Sequence, residues 1–194
     1  MSRPMLQGIL LAAGHGRRFR AEQPRDKLLA PCHRDHADAP AVALAALRTL
    51  LRVTDQVLVA VTMDNHALRD CLAGEPARIL PIHTNGIGHS LAQAVAHCHS
   101  PANLIVALAD MPYVHPSTLD KIAEALTEDN LVVPTWQGRR GNPRGIGASY
   151  IDQLLLLRDD QGARKLFSSS AVCEVAVDDP AIVHDIDLPA HILP

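Results

Sequence analysis

The sequence predicts an α/β fold of three layers, a mostly parallel sheet with helices on both faces, formed by one domain over residues 1–194. Three observations carry this expectation. Residues 5–13 form a nearly unbroken apolar run, the pattern of a strand covered on both faces. Further aliphatic runs alternate with helical stretches, the signature of βαβ units with right-handed crossovers. Apolar residues make up 47% of the chain and aromatics only 3%, so the core must be built from Leu, Val, Ile and Ala.

The first strand runs straight into Leu11, Ala12, Ala13, Gly14, His15, Gly16, Arg17 and Arg18. A loop leaving a parallel strand at its carboxyl end lies where open α/β sheets bind ligands. Gly14 and Gly16 let backbone N–H groups approach phosphate oxygens, and the arginines add fork-shaped cationic donors. Phe19 stands where a dinucleotide fingerprint needs its third glycine, and no Gly-Lys-Ser/Thr follows to complete a Walker loop. A tight turn with solvated arginines is the other reading of these letters.

The remaining elements follow in order. Lys27 opens a short apolar step after a polar stretch, and Pro31 to Pro40 reads as a polar loop. Within that loop Cys32, His33 and His36 lack the second ligand pair that a structural zinc site needs. A helix is expected over 39–51 with Pro40 in its first turn, a strand over 56–61, a helix over 65–72 and a strand over 77–82. A glycine turn around Gly86 and Gly88 leads to a helix over 91–98, with Ser90 either capping it or meeting a ligand. His97, Cys98 and His99 are adjacent, so on a helix they point apart and cannot share one metal.

Residues 103–109 read as the central strand, ended by Asp110. A carboxylate there faces the same crevice as the Gly14 loop, and Mg²⁺ needs only one or two carboxylates when phosphates complete its octahedron. The competing reading is an aspartate capping the next turn. A helix over 116–126, a strand over 130–134 and a basic glycine-rich loop over 137–143 come next; that loop either meets an anion or forms a solvated hairpin tip. Residues 150–157 carry four consecutive leucines suited to helix packing or a subunit contact, and 172–177 is a late strand. Near the end, alternation puts Asp185 and Asp187 on one face, able to meet one cation or to lie exposed on an edge strand.

These motifs resemble one family. Leu-Ala-Ala-Gly-x-Gly-x-Arg is similar to the signature of MobA-like nucleotidyltransferases, and the Ala-Ala form to the molybdenum cofactor cytidylyltransferase branch. The resemblance continues through Asp26-Lys27-Leu28-Leu29, Gly86 to Leu91 (Gly-Ile-Gly-His-Ser-Leu), Ala109-Asp110-Met111-Pro112 and Asp185-Ile186-Asp187. It implies a Rossmann-like sheet of the nucleotide-diphospho-sugar transferase type and Mg²⁺-dependent transfer of CMP from CTP to molybdopterin carrying molybdenum; the alternatives are an enzyme of the same fold using GTP or another phosphorylated acceptor, such as a sugar phosphate or phospholactate, and a non-catalytic nucleotide-binding or cofactor-delivery module. It further implies Arg18, Lys27 and Asp110 as catalytic residues, with Asp110 and Asp187 as metal ligands. Leu11, Ala12, Ala13, Gly14, Gly16, Gly86, Gly88 and Ser90 would join them in holding the nucleotide. Arg140, Gly141, Asn142 and Pro143 fall where the family has Gly-Arg-x-Gly-His-Pro, the expected acceptor loop, with Asn142 replacing the histidine. Asp160 to Arg164 is similar to the family's Gly-Asp-x-Gly-Ala-Arg, with Asp159 in place of the glycine and Arg164 as a candidate anion ligand. A molybdoenzyme or its maturation factor is the implied transient partner.

Composition narrows the classes. Eighteen basic and 21 acidic residues give a net charge of −3, against a broad basic surface for nucleic acid. Four cysteines without a CxxC pair or a secretory signal predict reduced thiols in a cytoplasmic protein, and no apolar run reaches the ~20 residues that span a bilayer.

Overall fold

The computed structural model describes residues 5–36, 38–98, 102–158, 162–168 and 172–194. An eight-stranded sheet is the centre of the molecule. Strand β1 (Leu6–Ala12) pairs in parallel with β2 (Gln56–Thr62) on one side and β4 (Asn103–Leu108) on the other, and β2 pairs in parallel with β3 (Arg78–Ile82). Every residue of β1 is buried, as a strand covered on both faces must be.

Alternation along β1 divides the core. Leu6, Leu10 and Ala12 face one layer, with α2 (Val42–Leu51), α3 (His66–Leu72) and α5 (Pro116–Ala125) supplying Leu47, Leu50, Leu68 and Leu119. Ile9 and Leu11 face the other layer, where α4 (Ile87–Val95) contributes Leu91 and Val95 and α6 (Ile151–Leu155) contributes Leu154. The leucine run at 154–157 thus packs the second layer, although Leu156 stays exposed. Among the described residues no helix is long and apolar enough to cross a membrane.

The other half of the sheet departs from simple βαβ winding. Strand β5 (Leu131–Trp136) is joined by a turn at Gln137 and Gly138, both at positive φ, to β6 (Arg139–Arg140). Two successive positive φ values suit the twist of a tight hairpin. The chain then continues as β7 (Arg144–Ile146), which runs antiparallel between β4 and β5, while β8 (Val172–Ala176) pairs in parallel with the far edge of β5. The basic segment over 137–143 is therefore largely a hairpin turn and return strand, a pairing set by β4 and β5 and invisible in so short a stretch of letters.

Two expected helices shift. Helix α2 begins after Pro40, because the Pro31–Ala41 bridge and the Cys32 N–H to Pro40 O bond hold the preceding loop in extended form. Helix α4 begins at Ile87, four residues earlier than expected, because Gly86 acts as its N-cap and its carbonyl accepts from Ser90 N–H. Ser90 is thereby inside the first turn. Residues 183–188 lie outside any strand, yet the expected facing of Asp185 and Asp187 survives, with Ile186 fully buried between them.

Gly141 sits at the break between β6 and β7, and a Cβ there would lie 2.3 Å from the Ile182 carbonyl oxygen. Gly141→Ala should therefore cost at least about 2 kcal/mol of stability through forced backbone displacement. Urea unfolding with an unchanged midpoint would contradict this packing.

Candidate active site

The sheet order β3-β2-β1-β4 reverses direction of winding between β1 and β4, so a crevice opens at their adjacent carboxyl tips. Leu11 pairs with Leu108 and accepts through its carbonyl from Ala109 N–H, which brings the Gly14 loop beside Asp110. A cavity of about 740 Å³ lies there.

Five stretches of the chain build its walls and floor. Leu11, Ala12, Ala13, Gly14, Gly16 and Arg18 come from the first strand and loop. Gly86 and Ser90 come from the start of α4, and Lys27, Asp110 and Asp187 form the floor. Gly88 is buried within the first turn of α4. The residues that the sequence singles out around the loop, the lysine, the strand tip and Asp187 thus converge, from positions more than 150 residues apart.

Gly16 has two roles in this geometry. It caps α1 (Arg17–Glu22) at φ 56°, in the left-handed region that glycine enters without steric cost. A Cβ there would also lie 3.3 Å from Lys27 Cγ, so its absence lets the lysine stem pass beneath the loop.

Lys27 is only 6% exposed, which requires its ammonium to be paired. Its Nζ donates to Asp110 Oδ2 at 2.6 Å and lies 3.6 Å from Asp187 Oδ1. Arg18 Nη1 donates to the other Asp187 oxygen at 2.7 Å. The lysine is aimed from behind by Asp26, whose Oδ1 accepts from Leu28 N–H at the start of a one-turn helix over Lys27–Leu29. Asn65, at the start of α3, donates to the other Asp26 oxygen at 2.6 Å.

Asp110, Asp185 and Asp187 present carboxylate oxygens that all lie within 4.8 Å of one another. This all-oxygen donor set fits a hard divalent cation of the Mg²⁺ or Mn²⁺ kind.

The opposite wall includes Thr84, Asn85 and Ile87. Thr84 Oγ1 lies 2.6 Å from Ser90 Oγ and accepts from Gly86 N–H, locking the turn into α4. Ile87 is 43% exposed, an apolar side chain held open on the cavity wall. None of these three is among the candidate ligand residues read from the sequence, although Thr-Asn directly before Gly-x-Gly is itself a turn-and-cap signal.

Arg140, Gly141, Asn142 and Pro143 are not among the residues lining this cavity. Arg140 pairs with Glu174 and donates to the Phe167 carbonyl, Asn142 N–H donates to the Ile182 carbonyl, and the Asn142–Pro143 bond is cis. The side chain of Arg164, with Asp159 and Asp160, lies outside the described residues, as does His99. Cys98 lies beyond the end of α4 at Val95, short of the expected helix end, and donates to Ala94 O; burial pushes its thiol up to about 11, so it is not a thiolate at neutral pH.

The family model of the MobA-like NTP transferase domain matches residues 8–175. The fold is shared with Rv0371c from Mycobacterium tuberculosis H37Rv, 25% identical with a TM-score of 0.81, over 98% of this chain and 96% of that one. A crystal structure of Rv0371c in complex with manganese aligns with a TM-score of 0.75 at 24% identity, over 96% and 95% of the two chains. The purine catabolism protein PucB of Bacillus subtilis is 27% identical over 97% of this chain and 95% of its own length. The bifunctional protein GlmU of Syntrophomonas wolfei is 26% identical over 81% of this chain, which spans only 32% of that relative.

Removing the buried cation tests the floor of the cavity. Hydrogen bonds to charged groups contribute about 1.5–3 kcal/mol, so Lys27→Met should weaken triphosphate binding roughly 10- to 100-fold. Calorimetric titration with a nucleoside triphosphate, on protein shown by circular dichroism to be folded, would contradict the assignment if affinity were unchanged.

Proposed function

The chain belongs to the MobA-like NTP transferase domain family, and from that premise we propose that it transfers CMP from CTP to molybdopterin carrying molybdenum, releasing pyrophosphate. The observation that carries this reading is the convergence of Arg18, Lys27, Asp110 and Asp187 beneath a glycine loop at the β1/β4 crevice. In this reading a phosphate oxygen of the acceptor attacks the α-phosphorus of CTP. The new P–O bond forms as the bond to the β-phosphate oxygen breaks, and pyrophosphate carries away the electron pair.

The chain forms no covalent bond; it brings two anions together and neutralises the charge that develops. Arg18, Lys27 and the backbone around Gly14 and Gly16 hold the triphosphate. Asp110 and Asp187 would hold Mg²⁺, which supplies Lewis-acid polarisation of the phosphoryl oxygens. Gly86, Gly88 and Ser90 line or support the wall proposed for the base. The choice of cytosine rests on the resemblance of Gly86 to Leu91 to the cytidylyltransferase element, and Ile87 adds an apolar surface against which a base can pack. PucB, similar along nearly its whole length, is named a purine catabolism protein.

The test is pyrophosphate release from CTP, GTP, ATP and UTP in turn, with Mg²⁺ and with molybdenum-loaded molybdopterin present or omitted. Release from CTP that requires the pterin is expected, and Asp110→Ala should lower it at least about a hundredfold while leaving the fold intact. Preference for GTP would overturn the base assignment. Turnover with a sugar phosphate and not the pterin would overturn the acceptor, and wild-type activity in Asp110→Ala would overturn the metal assignment.

A further inference from the structure

The loop that carries Asp185 and Asp187 has no helix or strand of its own, so something else must hold its two carboxylates in register with Asp110. Part of the answer lies in Ile186, which is fully buried and whose N–H donates to the Asp110 carbonyl at 2.9 Å. That contact fixes the centre of the loop but leaves the peptide units of the flanking acids to be oriented.

The chain itself supplies the second clamp. A one-turn helix over Pro189–His191 reverses the backbone and brings the His191 imidazole back under the loop. Its Nδ1 accepts from Asp187 N–H at 3.2 Å and lies 3.1 Å from Asp185 O. Accepting from Asp187 N–H assigns the ring proton to Nε2, so Nδ1 has no proton to donate to the Asp185 carbonyl and the hydrogen bond it makes is the one to Asp187. His191 is held in turn by His184, whose Nε2 lies 3.0 Å from the His191 carbonyl oxygen and whose ring centroid is 5.9 Å from that of His191. Tyr113 backs His184 at 5.7 Å between centroids. His191 does not line the cavity, so it acts through Asp187.

We propose that His191 is a positioning residue for nucleotidyl transfer, orienting Asp187 toward Asp110 so that their carboxylates meet one divalent cation. The proposal rests on the reading of this cluster as the metal site. Groups that orient metal ligands commonly change metal affinity 10- to 100-fold when removed.

The experiment is Mn²⁺ titration of the full chain without nucleotide, followed by electron paramagnetic resonance, on wild type, His191→Ala, His191→Asn and His191→Gln, each with its thermal midpoint measured. Asparagine places an amide oxygen where Nδ1 stands, whereas glutamine carries its amide one bond further out. His191→Ala and His191→Gln should bind Mn²⁺ at least about tenfold more weakly, and His191→Asn should recover to near the wild-type value. The glutamine and asparagine variants keep the test decisive if the alanine variant unfolds. Wild-type affinity in His191→Gln, or equal loss in the asparagine and glutamine variants, would overturn the positioning role alone. Absence of Mn²⁺ binding to the wild type would overturn the metal reading and this proposal together.

Discussion

The ion pair between buried Lys27 and half-buried Asp110 is the constraint on which the site depends. Withdrawing charged groups from water costs several kcal/mol per ion unless each finds a partner. Lys27 finds Asp110 at 2.6 Å and Asp187 further off, and Asp187 is completed by Arg18. Each of these groups arrives on a different element, so the pairings join the tip of β4, the one-turn helix after α1 and the loop near the carboxyl end. Asp26 and Asn65 then extend the connection to α3.

The sheet makes this meeting possible. Because β1 lies between β2 and β4, chains leaving β1 and β4 emerge side by side above a crevice. Burial of both faces keeps the tips in place, and the glycine loop leaves room for the lysine stem. The segment over 140–143 serves the other half of the sheet: Arg140 ties β6 to β8 through Glu174, and Gly141 packs on the Ile182 backbone. The cation pairs of the cavity and those of the β6 hairpin therefore work in separate places.

Much of this was legible in the sequence. Strands β1, β2 and β4 are continuous aliphatic runs, and Asp110 follows the last of them, so fold and strand-tip carboxylate could be read together. The relation of Asp185 to Asp187 was readable from alternation, even though an extended loop, tethered by Ile186, replaces the edge strand. The start of α4 was hidden because Gly86 and Gly88 read as a turn, whereas the capped helix absorbs Gly88 and Ser90. Strands β6 and β7 are two and three residues long, too short for any periodicity, and exist through their long-range partners. Nothing local marks Lys27 as buried, because its partner Asp110 is 83 residues away, and the His191 contact with Asp187 depends on a one-turn helix over Pro189–His191 too short to show periodicity.

The most direct test of the account is a crystal of the protein grown with Mn²⁺ and a non-reactive CTP analogue, with anomalous scattering recorded at the manganese edge. The account predicts a manganese peak contacting Asp110 and Asp187, with the triphosphate against Gly14, Gly16 and Lys27. A manganese peak away from both aspartates, or a nucleotide bound outside the β1/β4 crevice, would contradict it.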